Sequence, residues 1–366
     1  MRGLAFALLA LGCHSKVEAP PEDASPGDTV AADVAAGPPV LAFVGTVTGK
    51  VHVVDVTAMA DRLTIAAGHS AIHGTAVMPD KVTIYTMNYG ESRVDKRKLA
   101  SDLSDAPVVL SIPVKAPPTF LTRSPDARFI ATGATDSAMH GGVPVRFQGQ
   151  EVATFIATET DAIVLALPLE TPAAVLYAPD ASRGYVLAQK SREIPVVDLK
   201  TLTVVETWVV AERTDNDFAS GRGAVRASDG VVCVSNMEHH NVSCLDPKAP
   251  SEQWLLDSPE LVPHDMSFDA VGRLWVQAAD HRPDAGHEAE ATTIASAVLV
   301  FDVEARTIVK ELAWDYSIWH VKVGPNGRAY VSGSWGTVVI YDTTDFSLVA
   351  AVSLASGPEP VMSVDF

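Results

Sequence analysis

The most constraining feature of the sequence is a repeated unit: a strand-like run, a turn carrying Pro-Asp or Asp-Gly, and a second run with an aromatic or β-branched centre. Six complete copies occur, and the first spans 75–80 followed by Ile84-Tyr85-Thr86. A repeat of roughly 40 to 50 residues is typical of one four-stranded propeller blade. The equivalent turn positions are Asp80, Asp126, Asp180, Asp229, Val271 and Asn326, which lie 46, 54, 49, 42 and 55 residues apart. The sequence therefore predicts an all-β ring of repeated sheets.

A second pattern lies between these copies. Hydrophobic runs end in an aspartate and are followed by a polar turn and another β-branched run. An aspartate carboxylate accepts hydrogen bonds from backbone amides about two residues further on, which closes a tight hairpin. We interpret these acids as structural and not catalytic. They are Asp55, Asp198, Asp246, Asp302 and Asp342.

The two ends of the chain each supply part of a repeat. The C-terminal run 360–366 resembles an opening strand with no second strand after it, whereas 41–46 and 51–56 resemble later strands with no opening strand before them. Joining both ends in one blade closes the ring and removes exposed sheet edges. The prediction is a seven-bladed β-propeller over residues 40–366, with the closing blade built from both chain termini.

The repeats resemble the bacterial seven-bladed propellers with YVTN-type repeats, which are related to phosphogluconolactonase-like propellers. The resemblance rests on the opening strands His73-Gly74-Thr75-Ala76-Val77-Met78-Pro79-Asp80 and Pro263-His264-Asp265-Met266-Ser267-Phe268, and on Tyr330-Val331-Ser332-Gly333 and Val232-Cys233-Val234-Ser235-Asn236. The tandem Trp-Asp ending of WD40-type propellers is absent from these repeats. The resemblance implies an exported or lipid-anchored binding or scaffold protein, or, in a minority of members, a sugar-lactone hydrolase.

The N-terminal segment predicts export. Met1 and Arg2 give a positive start, and 3–12 is an uncharged run too short to cross a bilayer, which takes about 20 apolar residues. We interpret 1–12 as a signal peptide. The run Leu9-Ala10-Leu11-Gly12-Cys13 resembles a bacterial lipobox, in which Cys13 would receive the lipid. A plain signal peptide with an incidental cysteine remains the alternative.

Residues 13–39 differ in composition from the rest. The stretch 14–39 contains five prolines and five acidic residues and almost nothing bulky enough to bury. Such a segment buries too little apolar surface to offset the conformational entropy that it would lose on ordering. We therefore expect a disordered tether between the lipidated Cys13 and the propeller.

Cysteine usage agrees with an oxidising compartment. Cys233 and Cys244 lie on two strand-like runs on either side of a polar turn, and a symmetric hairpin places them opposite each other. We therefore predict a disulfide between them. Cys13 is then the odd cysteine, which acylation explains.

The charge balance restricts the partners. The chain carries 27 basic and 45 acidic residues, a net charge of −18, which disfavours nucleic acid and direct contact with anionic lipids. We expect a monomer that meets the membrane only through its lipid and binds an envelope protein or cell-wall component. The residue after Cys13 is His14 and not Asp. By resemblance to bacterial lipoproteins, this favours the outer membrane over the inner one.

Candidate ligand-binding residues lie where the innermost strands begin, at the mouth of the central channel. Counting back seven residues from the turn positions gives His73, Arg222, His264 and Trp319, and His320 follows. An arginine fork with imidazoles suits an anion or a carboxylate. The alternative is a solvated channel with assorted polar side chains.

Metal binding and catalysis have less support. The tip Glu238-His239-His240-Asn241 and the loop 280–288, with His281 and His287, offer imidazoles and carboxylates without a standard ligand spacing, so solvated loops are favoured. No Gly-x-Ser-x-Gly elbow occurs, and we expect no cofactor.

The sequence favours a non-catalytic binding or scaffold protein of the cell envelope. The alternative is a lactonase-like hydrolase or metal-dependent enzyme acting at the channel mouth.

Overall fold

The computed structural model describes residues 40–68, 74–134, 137–140, 143–146, 152–189, 191–213, 222–258, 260–280, 296–314, 317–333, 335–357 and 359–366. The predicted signal peptide 1–12, Cys13, the tether and His73 lie outside the described residues. Within the described ranges the chain forms seven four-stranded antiparallel sheets arranged as a propeller. This confirms the all-β, seven-bladed prediction.

Each blade runs from an innermost strand beside the channel to an outermost strand at the rim, and its four strands pair in that order. Blade 1 comprises β30 (Val361–Asp365), β1 (Leu41–Thr46), β2 (Lys50–Asp55) and β3 (Ala60–Ala66). Blade 2 comprises β4 (Thr75–Val77), β5 (Thr83–Asn88), β6 (Arg93–Lys98) and β7 (Val108–Pro113). Blade 3 comprises β8 (Pro118–Arg123), β9 (Phe129–Ala134), β12 (Val152–Ala157) and β13 (Ala162–Pro168), with the hairpin β10 (Ser137–His140) and β11 (Val143–Arg146) inserted after β9.

Blade 4 comprises β14 (Pro172–Tyr177), β15 (Arg183–Ala188), β16 (Glu193–Asp198) and β17 (Thr203–Val209). Blade 5 comprises β18 (Gly223–Val225), β19 (Val232–Asn236), β20 (Asn241–Asp246) and β21 (Ala249–Asp257). Blade 6 comprises β22 (Val262–Phe268), β23 (Leu274–Ala279), β24 (Ser296–Asp302) and β25 (Thr307–Trp314). Blade 7 comprises β26 (Ile318–Val323), β27 (Arg328–Gly333), β28 (Thr337–Asp342) and β29 (Leu348–Ser353).

Helical structure among the described residues is confined to two 3-10 turns, Tyr89–Glu91 and Met237–His239. Neither has the length or the apolar content of a membrane-spanning helix.

The closing blade joins the two ends of the folded chain. Strand β30 pairs antiparallel with β1, with Val364 opposite Val44. The amide of Val47 donates to the carbonyl of Pro360 at 3.0 Å, which extends the pairing beyond the strand. The innermost strand of blade 1 therefore comes from the C-terminus and the outer three from the N-terminal side, as the sequence predicted. The pairing covers a sheet edge of β1 that would otherwise be open.

The hydrophobic core lies between neighbouring blades and is centred on the second strand of each blade. Equivalent positions near the start of these strands carry a side chain that is at most 1% exposed. Five of these seven residues are aromatic, and all seven pack against a neighbouring blade. The seven residues are Phe43, Tyr85, Ala131, Tyr185, Cys233, Trp275 and Tyr330.

The strand-ending aspartates have the structural role that the sequence suggested. In each, Oδ1 accepts the backbone N–H of the residue two positions further on. The five bonds are Thr57 to Asp55 at 3.0 Å, Lys200 to Asp198 at 2.8 Å, Lys248 to Asp246 at 2.8 Å, Glu304 to Asp302 at 3.0 Å and Thr344 to Asp342 at 2.7 Å. These carboxylates therefore close the hairpins between the third and fourth strands.

The predicted disulfide is present in blade 5. Cys233 on β19 lies directly opposite Cys244 on β20, and their Cα atoms are 4.1 Å apart. Both side chains are fully buried in the cluster between blades 5 and 6.

Candidate site at the channel mouth

Three charged or titratable side chains meet on the innermost strands of successive blades. Arg222 directly precedes β18 in blade 5, Asp265 lies on β22 in blade 6, and His320 lies on β26 in blade 7. We call these three residues the channel triad. Because innermost strands of a propeller surround its axis, the triad lies at the channel.

The carboxylate of Asp265 is the centre of the triad. Its Oδ2 lies 3.3 Å from Nη1 of Arg222, accepts a hydrogen bond from Nδ1 of His320, and accepts the backbone N–H of Val321 at 3.2 Å. Nη1 of Arg222 is also 3.3 Å from Nδ1 of His320. The guanidinium carbon of Arg222 lies 5.1 Å from the ring centroid of Phe120, which belongs to blade 3. The triad thus connects four of the seven blades.

These contacts determine the ionisation of Asp265. Burial opposes a charged carboxylate, but the charges of His320 and Arg222 outweigh it and hold the pKa of Asp265 well below its usual range. Asp265 therefore stays ionised at neutral pH, as the acceptor for two neighbouring cationic or donor groups.

Two further ionisable side chains, Asp365 and Lys322, lie on the innermost strands of blades 1 and 7. Burial raises the pKa of Asp365 on β30, while the nearby charge of Lys322 on β26 acts in the opposite direction. The backbone N–H of Thr75 donates to Oδ2 of Asp365 at 2.8 Å. In the described part of the chain, no hydrogen bond or ion pair reaches the ammonium of Lys322. The positive charge of Lys322 acts on both Asp365 and Asp265.

Several of these polar groups also satisfy the backbone. The innermost strands have no neighbouring strand on the channel side. Their backbone N–H groups on that side therefore need other hydrogen-bond acceptors. Asp265 accepts from Val321, and the hydroxyl of Ser267 accepts the N–H of Val323 at 3.0 Å. Asp365 accepts from Thr75 in the same way. Part of the channel polarity is therefore structural, because it links blade 6 to blade 7 and blade 1 to blade 2.

The structure brings together two of the predicted site residues and places two others next to triad residues in the chain. Arg222 and His320 are in contact, whereas His264 and Trp319 precede Asp265 and His320 by one residue. The strand register shifts between Pro263 and Met266 and between Ile318 and His320, so His264 and Trp319 lie in irregular parts of their strands, each next to a triad residue. Both are half-buried. His73 lies outside the described residues.

The register explains why counting from the turns did not select Asp265. In blade 7, five residues separate Val323 from its partner Ala329, but in blade 5 six residues separate Val225 from Val232. Counting back seven residues from the turn position therefore reaches the third residue before the end of the innermost strand in blade 5, but the fourth in blade 7. Arg222 is therefore structurally equivalent to Asp265 and His320, not to His264 and Trp319. Phe120 carried no sequence signal, because its role depends on contact across the ring.

The histidine-rich segments do not form a metal centre in the described part of the chain. His239 ends a 3-10 turn and His240 follows it with a left-handed backbone, φ 52°. His281 and His287 lie outside the described residues. Among the residues that the structure describes, no group of three or more His, Cys, Asp or Glu side chains is placed to hold a metal ion.

Comparisons with known proteins identify the fold only. No family model matches the chain, and no curated protein matches it. Among solved structures, it is similar to a functionally unknown protein from Desulfotomaculum acetoxidans DSM 771, with 10% sequence identity and a TM-score of 0.65. The match covers 88% of this chain and 98% of the other. The fold and the site thus define a seven-bladed β-propeller with a charged channel.

Proposed function

We propose that this protein is an exported, lipid-anchored propeller that binds an envelope protein or cell-wall component at the mouth of its channel, without chemistry at that site. The observation that carries the proposal is the channel triad, in which Arg222, Asp265 and His320 come from three blades and meet beside Phe120. The N-terminal run before Cys13 supports export and anchoring.

The ionisation of the triad favours binding over acid–base catalysis. A general acid or base works best when its pKa lies near the working pH. The pKa of Asp265 is held well below its usual range, and its Oδ2 already accepts from Arg222, His320 and Val321. Asp265 is therefore a fixed anchor for Arg222 and His320 and a poor proton acceptor.

The cations of the channel indicate the chemistry of the ligand. Lys322 has no direct partner among the described residues, and Arg222 presents a planar guanidinium next to an aromatic ring. Cations of this kind recognise carboxylates and other anionic oxygens. The whole chain is strongly acidic, with a net charge of −18, so an anionic group needs local cations such as Arg222 and Lys322 to bind. We therefore expect the partner to present an acidic group at the mouth.

Site-specific photocrosslinking in the native envelope tests the binding role. A photoreactive residue replaces His264, next to the triad, and in a matched protein it replaces Val271, which is 76% exposed on the β22–β23 turn. We expect a discrete adduct from position 264, none from position 271, and loss of the adduct in Arg222→Met. Equal adducts from both positions, or none from 264, would contradict the proposal.

Fractionation tests the anchor separately. Cys13→Ser removes the only thiol that the lipid could use at the predicted processing site, so the protein should move from the membrane fraction to the soluble fraction. A protein that stays with the membrane after this change would exclude Cys13 as the anchor.

A further inference from the structure

A second polar cluster lies in the closing blade. His52 is on β2, Asp61 is on β3, and Ser356 is in the turn between β29 and β30. Oγ of Ser356 lies 3.1 Å from Nε2 of His52, and Oδ2 of Asp61 lies 2.6 Å from Nδ1 of the same ring. Hydroxyl, imidazole and carboxylate are thus connected in series, the order found in serine hydrolases.

The imidazole is fixed in a defined orientation. The side chain of His52 is fully buried, and that of Asp61 is 6% exposed. Oδ2 of Asp61 also accepts the backbone N–H of Ala355 at 3.0 Å, so the same carboxylate orients the ring and holds the turn that carries Ser356. A carboxylate at Nδ1 requires the ring to donate there. In the resting structure the single proton of the Ser356 hydroxyl is directed to Glu359. Nε2 of His52 lies within reach of the same hydroxyl and takes its proton when the reaction begins.

From this geometry we propose that Ser356 is the nucleophile of an acyl-transfer site, with His52 as its general base and Asp61 as the residue that positions His52. The substrate class is an ester or another activated acyl group. The site uses none of the channel residues, so it goes beyond the binding role proposed above and does not depend on it.

The reaction balances with water as the second reactant. Oγ of Ser356 attacks the acyl carbon while its proton moves to Nε2 of His52. The C–O bond to the alcohol breaks, and the leaving oxygen takes that proton. Water then attacks the Ser356 ester and gives a proton to His52, which returns it to Oγ as the acid leaves. The sum is one ester and one water converted to one acid and one alcohol.

The turn that carries Ser356 is partly exposed to solvent. No acceptor among the described residues takes the backbone N–H of Ser356. Trp335, which is 54% exposed, lies on the neighbouring turn next to Gly336. A Cβ at Gly336 would lie 2.3 Å from the carbonyl oxygen of Gly357, so that turn packs directly against the turn of Ser356.

Glu359 is the competing base near the same hydroxyl. Its Oε1 lies 3.6 Å from Nε2 of His52 and 3.2 Å from the ammonium of Lys50. Burial opposes its ionisation, but hydrogen bonds from Ser356, Thr48 and Lys50 lower its pKa to about 2. A carboxylate with so low a pKa is a weak base at neutral pH. His52 is therefore the residue that removes the proton.

A fluorophosphonate probe tests the site without knowledge of the substrate. Oγ of an activated serine displaces fluoride from the phosphorus and becomes phosphonylated. We expect the folded full-length protein to be labelled at Ser356, as located by peptide mass spectrometry, and Ser356→Ala to lose the label. Ser104→Ala is the matched control, because Ser104 is exposed and bonds only Asp102 and not a histidine. Wild-type protein that stays unlabelled at Ser356 overturns the proposal.

Variants of the neighbours identify the base. His52→Gln should slow labelling by about 100-fold, the lower range for loss of a general base. Asp61→Asn should slow it and Asp61→Glu should restore part of the rate. Glu359→Gln should leave the rate within about threefold of wild type. Thermal unfolding of each variant checks that the fold is retained. Labelling that requires Glu359 and not His52 contradicts the assignment of the base.

Discussion

The ammonium of Lys50 lies 3.2 Å from Oε1 of Glu359, and the two are 309 positions apart in the chain. Lys50 begins β2, and Glu359 comes two residues before β30. The hydroxyl of Thr48 donates to the other carboxylate oxygen. The closing blade is therefore held by side chains as well as by the backbone pairing of β30 with β1.

The carboxylate of Glu359 should make stability depend on pH. Its pKa falls from a usual value of 4.5 to about 2 in the folded protein, because hydrogen bonds from Ser356, Thr48 and Lys50 outweigh burial. A lowered folded pKa adds stability that is complete above about pH 4.5 and is lost as the pH falls towards 2. Glu359→Gln should therefore cost about 2 kcal/mol at pH 7, and the difference from wild type should shrink below pH 4.5.

Urea unfolding of both proteins between pH 7 and pH 3 measures this difference. Glu252→Gln is the control, since Glu252 is exposed and has no hydrogen bond or ion pair within the described residues. A cost for Glu359→Gln that is constant over this pH range would contradict the electrostatic account of the closure.

The last residue of the chain should contribute to the same closure. The ring of Phe366 packs against the fully buried ring of Tyr330 with centroids 4.7 Å apart. It also fills the space above Gly324, where a Cβ would lie 2.9 Å from its Cζ atom. Phe366→Ala should destabilise the ring by about 2 kcal/mol, because Phe366 is half-buried and loses an aromatic contact. Denaturant unfolding measures the cost, and Val271→Ala, at a position 76% exposed, should stay within about 0.5 kcal/mol of wild type.

The ring closure was predictable because it depends on backbone pattern. An unpaired opening strand at one end and unpaired later strands at the other can only complete each other. Val364 opposite Val44 is the result. The pairing of Cys233 with Cys244 was predictable for the same reason, since a symmetric hairpin fixes which residues face each other. Local periodicity thus determines both features.

The polar clusters were not predictable from local pattern. Arg222, Asp265 and His320 come from three blades, and one additional residue in a blade 5 turn hides their equivalence. His52 and Ser356 are separated by 304 positions, and no short motif surrounds either residue. Such contacts arise only when the blades pack, so a search by spacing along the chain cannot find them.

The channel triad should respond strongly to loss of one member. Arg222→Met removes one of the two side chains that hold the pKa of Asp265 below its usual range, and leaves a buried carboxylate with weaker compensation. We expect the free energy of unfolding at pH 7 to fall by roughly 3 kcal/mol, the lower end for removing one partner of a buried ion pair. Arg62→Met is the matched control, because Arg62 pairs with Asp55 at a similar distance, 3.4 Å, but is 47% exposed. An exposed pair is worth at most about 1 kcal/mol, so equal costs for the two variants would contradict a buried triad.

The disulfide of blade 5 should stabilise the ring by restricting the unfolded chain. Cys233 and Cys244 are separated by 11 positions, and closing a loop of that length is worth about 3 kcal/mol. The clean comparison is wild type refolded with and without a thiol reductant, because both forms keep the same buried side chains and differ only in the crosslink. Both cysteines are fully buried, so reduction requires prior unfolding. The reduced protein should unfold at lower denaturant concentration. Equal midpoints would show that the crosslink does not stabilise the ring.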